Sequence, residues 1–471
     1  MAVPLCVDLD GTLIKTDLLF ESVLHLLKKN PLYFFLIITW LFKGIARLKY
    51  EVATRVSLDP ATLPYSNNFL SYLKEEHAKG RKLILITAAD KKIAEMISNY
   101  VGIFSHVLAS DGDKNLKGEN KRRLLCELSG EKKYDYAGNS RHDLKIWSSA
   151  RYAIIVNASH SIIKRTQRLA RVEHVFPREK KAFFSFLRAV RIHQYIKNSL
   201  IFIPLFASHL YFHLSSIVNS LIAFSAFCLL ASGVYLTNDL VDLEVDRKHR
   251  TKHKRPFAAG DLSISFGVIA IFIFIMTAIF LATLLNSVFL SILVFYFLLS
   301  SAYSFYLKRK LLYDVFVLAI LYTIRIMAGV AAIQSLYSEW LIAFSMFFFL
   351  SLAFVKRYSE LYLSKIENKY NILGRGYHVN DLNQLSVFGT VSGYVAILVF
   401  SFYISSNQVT VLYRHPQWLW LVCLLLLYWI SRIWMLVTRG LINEDPVIFA
   451  LTDKTSLLAV LAITVIVFIA C

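Results

Sequence analysis

The residues best suited to chemistry are three aspartates at the end of an apolar segment. Asp239, Asp242 and Asp246 are spaced three and four residues apart, so on a helix they share one face. Clustered carboxylate oxygens are the ligands that Mg²⁺ uses when it bridges to a diphosphate, and Asn238 adds a neutral oxygen. Acidic side chains at a membrane are costly enough to indicate function. We therefore predict a magnesium and diphosphate site here, and not a solvated helix face.

Basic residues follow the aspartates directly, and Lys252 and Arg255 among them are predicted to contact a metal-bound phosphate. Further polar groups lie in or beside apolar segments. We predict that these also bind substrate: Lys197, Tyr303, Lys308, Asp314, Arg325, Lys356, Arg357 and Glu360. Arg325 lies inside an apolar helix and is expected to need an anionic partner. For Lys356 and Glu360, four residues apart, an ion pair within one helix is the alternative.

A second group of acidic residues begins near the N-terminus, where Asp8 and Asp10 follow a short apolar run that predicts a strand. Ligands bind beyond the carboxyl ends of strands in open α/β sheets. Polar residues also follow later runs of this kind. We therefore predict that Asp8 and Asp10 lie at a ligand-binding site.

Composition divides the elements that must position these residues. The 471 residues are 56% hydrophobic with a mean hydropathy of +0.52, which is too apolar for a wholly soluble protein. Five short apolar runs, PLCVDLD, KLILITA, HVLAS, YDYAG and YAIIVNA, alternate with helical segments up to about residue 180, which predicts a parallel α/β domain over 1–180. Its insertion at about 18–70 predicts a helical cap, either resting on the membrane surface or forming a buried hairpin. A basic stretch at about 159–181 predicts a helical linker. Residues 181–471 predict an all-α membrane bundle.

Nine membrane-spanning helices are predicted in the second half. Their approximate bounds are 192–212, 216–237, 264–285, 287–306, 312–333, 339–355, 387–406, 416–437 and 453–470. The loops on one side carry nearly all the Lys and Arg of this half, which places that side and the N-terminal domain in the cytosol and the C-terminus outside the inner membrane. The same asymmetry explains the net charge of +20 without nucleic acid. The five cysteines have no disulfide or metal-ligand spacing.

The stretch NDLVDLEVD, followed by basic residues and RPFAAG, resembles the first signature of UbiA-type prenyltransferases, and YSFYLKRKLLYD resembles the second. This resemblance implies a bundle of nine helices in which a Mg²⁺-bound diphosphate lies over a lipid-accessible cavity. RIHQYIKNSLIFIPLF and VKRYSEL are similar to decaprenyl-phosphate phosphoribosyltransferases, although RIHQY departs from their usual RPxQW. That branch implies phosphoribosyl diphosphate as donor and a polyprenyl phosphate as acceptor.

The DLDGT stretch at Asp8 resembles the first motif of HAD-type phosphatases, which implies a Rossmann-like fold. In that family the first aspartate attacks phosphorus and the second, here Asp10, acts as acid or base. Thr87 matches the hydroxyl of the second motif and Lys121 the lysine of the third, which implies that both bind a phosphoryl group. Asn139 stands where the fourth motif usually has a carboxylate, and the metal ligands that the resemblance implies are Asp8, Asp10, Asn139 and Asp143. Two interpretations remain open: a working phosphatase that removes the 5-phosphate from the transfer product, or a catalytically weak domain that binds and regulates.

Two other functions remain open for the membrane half. An aromatic prenyltransferase would use the same aspartates to bind a polyprenyl diphosphate donor, and would need fewer cations than a phosphoribosyltransferase. A noncatalytic membrane scaffold or transporter would use the acidic helix for ion passage. Neither prenyl chain length nor oligomeric state follows from the sequence.

Overall fold

The computed structural model describes residues 3–112, 115–178, 182–336, 338–366, 375–442 and 445–471. The chain divides into two compact units. The N-terminal unit contains Met1–Arg191 and Tyr235–Ile271, and the helical unit contains Ile192–Val234 and Phe272–Cys471. The aspartate-bearing segment therefore belongs to the N-terminal unit. The predicted domain boundary at 180/181 lies outside the described residues and stays a prediction.

The N-terminal unit is built on a parallel sheet, which confirms the predicted α/β architecture. Its strands are β1 (Leu5–Val7), β2 (Leu83–Asp90), β3 (His106–Ser110), β4 (Asp135–Gly138), β5 (Ala153–Val156) and β6 (Val172–Phe176). The described strands pair in the order β3-β2-β1-β4-β5-β6, all parallel. The strand order reverses at β1, so the loop after β1 lies at the switch point where such sheets bind ligands.

The central strands β1, β4 and β5 are buried throughout, as expected for a parallel sheet covered on both faces. By contrast, β6 is an edge strand whose middle residues, Glu173, His174 and Val175, are exposed. The sequence led us to expect a helical linker over about 159–181. That expectation is correct for His160–Leu169 and wrong for β6.

The insertion between β1 and β2 is helical, as predicted. The helices of the N-terminal residues are α1 (Leu18–Lys29), α2 (Tyr33–Phe42), α3 (Ile45–Arg55), α4 (Asn67–Ala78), α5 (Lys91–Val101), α6 (Glu119–Ser129), α7 (Leu144–Trp147), α8 (His160–Leu169) and α9 (Ala182–Val190). Asp17 caps α1, because its carboxylate accepts hydrogen bonds from the N–H groups of Leu19 and Phe20. We call α1 to α3 the cap.

The second half of the chain is helical. After a 3₁₀ segment at Ile192–Phe202, the helices are α10 (Ile203–Ala207), α11 (Leu214–Val241), α12 (Leu243–Lys248), α13 (Ile264–Thr283), α14 (Ser287–Phe305), α15 (Tyr313–Ile333), α16 (Glu339–Ile366), α17 (Leu382–Ile404), α18 (Asn407–Leu412), α19 (Leu419–Thr438), α20 (Pro446–Thr452) and α21 (Lys454–Ala470). Helices α11 and α13 each contribute residues to both units.

The predicted count of nine spans is not confirmed. Among the described residues, seven helices are long and apolar enough to cross a membrane, or eight if α20 and α21, bent by 82°, form one broken span. The expected span at 192–212 is instead the 3₁₀ segment and the short α10. This region contains Pro204 and the buried polar residues Lys197 and Asn198, which explains why it does not form a long apolar helix.

Close helix packing in the helical unit depends on glycines. A Cβ at Gly329 of α15 would lie 2.2 Å from the carbonyl oxygen of Ile201, so only glycine lets α15 approach the 3₁₀ segment this closely. Gly389 of α17 similarly makes room for the ring of Trp434 on α19. These contacts fix the helices that carry the polar residues described below.

Candidate functional site

The predicted aspartate cluster lies where α11 ends and α12 begins. The helix is interrupted at Asp242, yet the backbone hydrogen bonds from Asp242 to Asn238 (2.9 Å) and from Asp246 to Asp242 (2.8 Å) persist across the break. Asp239 and Asp246 are buried, each with only 2% of its surface exposed, and Asp242 is half-buried. The three aspartates therefore follow one nearly continuous helical path, with a local bend in its middle.

Two arginines hold the buried carboxylates. The guanidinium of Arg255 lies 3.1 Å from a carboxylate oxygen of Asp239 and 2.7 Å from one of Asp246. Arg191 contacts the same oxygen of Asp239 at 2.6 Å and lies over the ring of Tyr235. The sequence pointed to Arg255 through its basic surroundings. It did not point to Arg191, which is 48 residues from Asp239 and carried no motif signal.

The chemistry of this donor set fits Mg²⁺, because carboxylates are hard oxygen ligands. Guanidinium cations compensate the buried carboxylates in the structure. Asn238 beside them is half-buried, and Lys252 lies in an exposed 3₁₀ turn at Lys252–Lys254. Within the described part of the chain, no three acidic, histidine or cysteine side chains lie close enough to form a ready-made metal site. A metal here would therefore share its carboxylates with arginine or displace it.

A cavity of about 370 Å³ opens in the N-terminal unit beyond the end of β1, as the switch point predicts. Asp8 and Asp10 both line it. Lys121 lies 2.6 Å from a carboxylate oxygen of Asp8 and 3.2 Å from the hydroxyl of Tyr136, and Thr12 donates to Asp8 at 3.3 Å. The structure thus brings the predicted lysine directly to the first predicted aspartate.

Burial dominates the electrostatics of the two aspartates. It raises the pKa of Asp8, against the opposing effect of the Lys121 ammonium group. Burial and then the nearby charge of Asp17 raise the pKa of Asp10 to about 8. One oxygen of Asp10 accepts a hydrogen bond from the Leu18 N–H at 3.0 Å. A cation bound in this cavity would offset the cost of holding both carboxylates charged, so the donor set fits Mg²⁺.

The fourth predicted motif also lines the cavity, through Asn139, Ser140 and Asp143. Asp143 accepts hydrogen bonds from the hydroxyls of Tyr136 (2.8 Å) and Ser140 (2.7 Å). The side chain of Asn139 packs on Gly11, where an added Cβ would come within 2.0 Å of its amide nitrogen. Gly11 also has φ +74°, which favours glycine. The Asn139 amide is therefore held against the loop that carries Asp8 and Asp10.

Thr87 is placed differently from its prediction. Its hydroxyl accepts a hydrogen bond from the Ala89 N–H at 2.9 Å and is fully buried, whereas Ala88 and Ala89 line the cavity. Lys49 of the cap also lines the cavity and donates to the Ala88 carbonyl. Burial lowers the pKa of Lys49. No sequence motif indicated this lysine, because it lies in the insertion.

In the helical unit, Arg357 is the centre of a buried polar network. This fully buried side chain lies 2.7 Å from a carboxylate oxygen of Asp314 and also pairs with Glu360. Arg375 and Tyr377, which the sequence did not indicate, contact the same Asp314. Tyr303 joins through Arg375, and Lys308 lies half-buried in the 3₁₀ turn Leu307–Arg309. One terminal nitrogen of Arg357, Nη2, has no hydrogen-bond partner among the described residues.

A second cluster in this unit joins two predicted lysines. Lys197 lies 2.6 Å and Lys356 3.0 Å from the same carboxylate oxygen of Asp445. Burial alone would raise the pKa of Asp445, but the ammonium groups of Lys356 and Lys197 outweigh it and hold the pKa well below its usual value. Lys356 thus pairs with Asp445 and Glu360 with Arg357, so the alternative of a Lys356–Glu360 ion pair is wrong.

Arg325 lies deep in α15, as predicted, but its partners differ from the expected anion. It donates to the side-chain oxygen of Asn198 and to the hydroxyl of Tyr296, both at 2.8 Å, and to the carbonyl of Leu321. Its guanidinium also lies over the ring of Tyr322. The contacts that the structure gives this cation are therefore neutral oxygens and aromatic faces. They stabilise the guanidinium group but do not cancel its charge.

Comparison with known proteins shows similarity over nearly the whole chain. "Uncharacterized protein y4nM" of Sinorhizobium fredii is 37% identical over 455 residues, which is 96% of this chain and 88% of that protein. Decaprenyl-phosphate phosphoribosyltransferase of Mycobacterium tuberculosis is 33% identical over 183 residues, which is 38% of this chain and 61% of that enzyme.

Among solved structures, a UbiA homologue from Archaeoglobus fulgidus bound to DMAPP and Mg²⁺ is 14% identical and covers 60% of this chain and 99% of that one, with a TM-score of 0.46. The family assignment rests on sequence instead. The profile described as the UbiA prenyltransferase family matches residues 201–452, which is more than half of the chain and includes all three aspartates. The chain belongs to the UbiA prenyltransferase family.

Proposed function

We propose that this protein transfers 5-phosphoribose from phosphoribosyl diphosphate to a polyprenyl phosphate in a Mg²⁺-dependent reaction that releases diphosphate. The observation that carries the donor class is the similarity to decaprenyl-phosphate phosphoribosyltransferase over 183 residues. The charge of the predicted site supports the same class. Family members that act on prenyl diphosphates handle one diphosphate, whereas this reaction brings a diphosphate, a 5-phosphate and a lipid phosphate together, which requires more cations.

In this reaction, an oxygen of the lipid phosphate forms a bond to C1 of the ribose as the bond from C1 to the diphosphate oxygen breaks. Asp239, Asp242 and Asp246 would hold Mg²⁺, which when bound stabilises the negative charge of the departing diphosphate. Arg255 and Arg191 orient the buried carboxylates and present guanidinium groups to the diphosphate oxygens.

The helical unit has cations of its own that are suited to bind a phosphate group. Lys197 and Lys356 share one carboxylate of Asp445, and the buried terminal nitrogen Nη2 of Arg357 has no hydrogen-bond partner in the described residues. A lipid phosphate is already ionised near neutral pH, so it needs positioning more than a general base. The basic groups supply that positioning.

The test uses detergent-solubilised full-length protein with Mg²⁺, radiolabelled phosphoribosyl diphosphate and a polyprenyl phosphate. Label should pass into the organic phase, and Asp242→Ala should abolish the transfer while leaving the protein folded. Activity instead on a polyprenyl diphosphate with an aromatic acid would replace the proposal by an aromatic prenyltransferase. Absence of both reactions in folded protein would favour a noncatalytic scaffold or transporter.

A second activity is supported by the Asp8–Lys121 contact in the cavity of the N-terminal unit. We assign to this unit the hydrolysis of a phosphate monoester, with the 5-phosphate of the transfer product as the preferred substrate. A carboxylate oxygen of Asp8 would form a bond to phosphorus as the ester P–O bond breaks, and Asp10 would give a proton to the leaving oxygen. Water would then form a bond to the same phosphorus as the Asp8–phosphorus bond breaks, with Asp10 accepting the proton of the water, and inorganic phosphate would leave. Lys121 binds the phosphoryl oxygens, and Asp8, Asp10, Asn139 and Asp143 would hold Mg²⁺.

The measurement is phosphate release by the full-length protein, with Mg²⁺, from a phosphoribosyl lipid and from small phosphate esters. Asp8→Asn should remove the activity. Failure of the wild-type protein to release phosphate from any of these compounds would favour the noncatalytic, regulatory interpretation of this unit.

A further inference from the structure

The cap contacts the aspartate-bearing helix through a buried ion pair inside the N-terminal unit. Glu21 of α1 and Arg247 of α12, which are 226 residues apart in sequence, form two parallel hydrogen bonds of 2.9 and 2.6 Å. The side chains are only 4% and 7% exposed. Arg247 also donates to the carbonyl of Ala258 at 3.1 Å. Each charge is therefore removed from water and depends on the other for compensation.

This pair lies between the two groups of aspartates. On one side, Glu21 accepts a hydrogen bond from Thr16, which lines the cavity, and the first residue of α1, Leu18, donates its N–H to Asp10. On the other side, Arg247 directly follows Asp246 in sequence. Helix α1 is therefore held at its first residue by Asp10. One turn later it is held by Arg247, the neighbour of Asp246.

Two weaker contacts lie beside this pair. Glu244 of α12 lies 3.7 Å from His25 of α1, and Lys248 of α12 lies 3.2 Å from Asp59, which follows the cap. These groups are partly exposed and contribute little by themselves. They show, however, that α12 contacts α1 at Glu244 as well as at Arg247. The buried Glu21–Arg247 pair is the contact that sets the position of α12.

We infer that Glu21 is a positioning residue for the aspartate cluster: through Arg247 it fixes α12, so that Asp246 and Arg255 are held in the geometry that binds a Mg²⁺-diphosphate. The inference rests on the proposed role of these aspartates. It means that the phosphatase-like fold is a structural part of the transferase site, and that a change in the cap is felt at the diphosphate.

The test compares Glu21→Gln with Glu51→Gln in the full-length protein. Glu51 is a matched control, since it is also a buried carboxylate of the cap, but its partners Arg47 and Arg55 belong to its own helix α3. The readout is the affinity for inorganic diphosphate with Mg²⁺, measured by calorimetry. Glu21→Gln should weaken binding by about 10-fold, within the range for residues that orient ligands, and Glu51→Gln should leave it unchanged.

The reversed pair Glu21→Arg with Arg247→Glu should recover most of the affinity, which loss of folding would not allow. Equal effects of Glu21→Gln and Glu51→Gln, or full affinity in Glu21→Gln, would overturn the inference. If the wild-type protein bound no Mg²⁺-diphosphate, the proposed function of the aspartates would fail instead. The two failures are therefore distinguishable.

Independently, helix α2 of the cap has a large apolar face without a partner in the described residues. Trp40 is buried on the cap's own core, whereas Leu32, Phe35, Leu41 and Phe42 are 67, 65, 54 and 89% exposed. The helix has ten residues, too few to span a bilayer. Exposed lysines lie at both ends: Lys28, Lys29 and Lys43. An apolar face flanked by cations is the pattern of helices that lie in the interface of anionic membranes.

We propose that α2 inserts its exposed face into the anionic surface of the membrane in which the chain is embedded. A diazirine-bearing phosphatidylglycerol in nanodiscs should crosslink residues 32–42 of the full-length protein, as mapped by mass spectrometry. Phe35→Asp with Phe42→Asp should reduce this crosslinking by about 10-fold, whereas Leu128→Asp, at a position 61% exposed on α6, should not change it. Crosslinks from this segment to another protein chain only, or none, would overturn the proposal.

Discussion

The two groups of aspartates in the N-terminal unit are prepared for chemistry in different ways. Asp8 and Asp10 follow a strand and line a cavity, with a single lysine on Asp8. Asp239 and Asp246 lie beside a helix break, and two arginines occupy their oxygens. The first arrangement leaves room for a reacting phosphoryl group. The second is closed by its own cations, so a bound diphosphate must take over contacts that the carboxylates and guanidiniums now make with each other.

The largest expected effect separates the two groups. Asp8→Asn should lower phosphate release by about 10⁴-fold, because it removes the nucleophile, and leave phosphoribosyl transfer unchanged. Asp246→Asn should lower transfer by about 10²-fold or more and leave phosphate release unchanged. Transfer is followed as label passing into the lipid, and phosphate release is measured separately from an added phosphoribosyl lipid or small phosphate ester. Loss of both activities in either variant would contradict the assignment of separate roles.

Next in size is the loss of the shared arginine. Arg255→Ala leaves two buried carboxylates without their common cation, and transfer should fall by about 10² in kcat/KM for the donor. Arg255→Lys should recover only part of this loss, since one ammonium group does not reproduce the two contacts at their present geometry. Steady-state kinetics against phosphoribosyl diphosphate measure the effect. A lysine variant with full activity would show that charge alone is required.

A smaller effect is expected at Asp445, which holds two lysines of the helical unit. Asp445→Asn removes the charge that fixes Lys197 and Lys356, and KM for the polyprenyl phosphate should rise by about 10-fold. Asp453→Asn is the matched control, because Asp453 pairs instead with Arg432. An equal change in both variants would indicate a general loss of helix packing.

The smallest expected change is a gain. Asn139→Asp replaces a neutral oxygen by a charged one beside Asp8 and Asp10, so the Mg²⁺ concentration that gives half-maximal phosphate release should fall by several-fold. Titration of Mg²⁺ with a small phosphate ester measures it. A lower half-maximal Mg²⁺ concentration in the wild type than in this variant would contradict the role of position 139 as a ligand.

Much of the fold could be predicted because local patterns specify it. Five apolar runs gave five strands, and the insertion between the first two is helical. The sixth strand was missed because its exposed Glu173 and His174 lack the apolar signature of a buried strand. The expected span at 192–212 was wrong. Contacts distant in sequence, such as that of Lys197 with Asp445, decide whether a polar residue is tolerated in this segment, and the local sequence does not show them.

The same limit applies to the site. Some residues with a motif come together in the folded chain, as Asp8 does with Lys121. Arg191, Asp445 and Glu21 are the partners of Asp239, Lys197 and Arg247, and they carry no local signal, because each lies between 48 and 248 residues from its partner. Spacing indicates candidate reactive groups, and only the folded chain identifies which groups compensate their charge.

The contact of Asn139 with Gly11 also constrains how the chain can diverge. Any side chain at position 11 would occupy the volume of the Asn139 amide and would have to adopt a positive φ. Positions 11 and 139 should therefore covary across descendants of this protein. Where glycine is lost at 11, position 139 is expected to shrink to serine, alanine or glycine, and with it one oxygen would leave the phosphatase-like cavity.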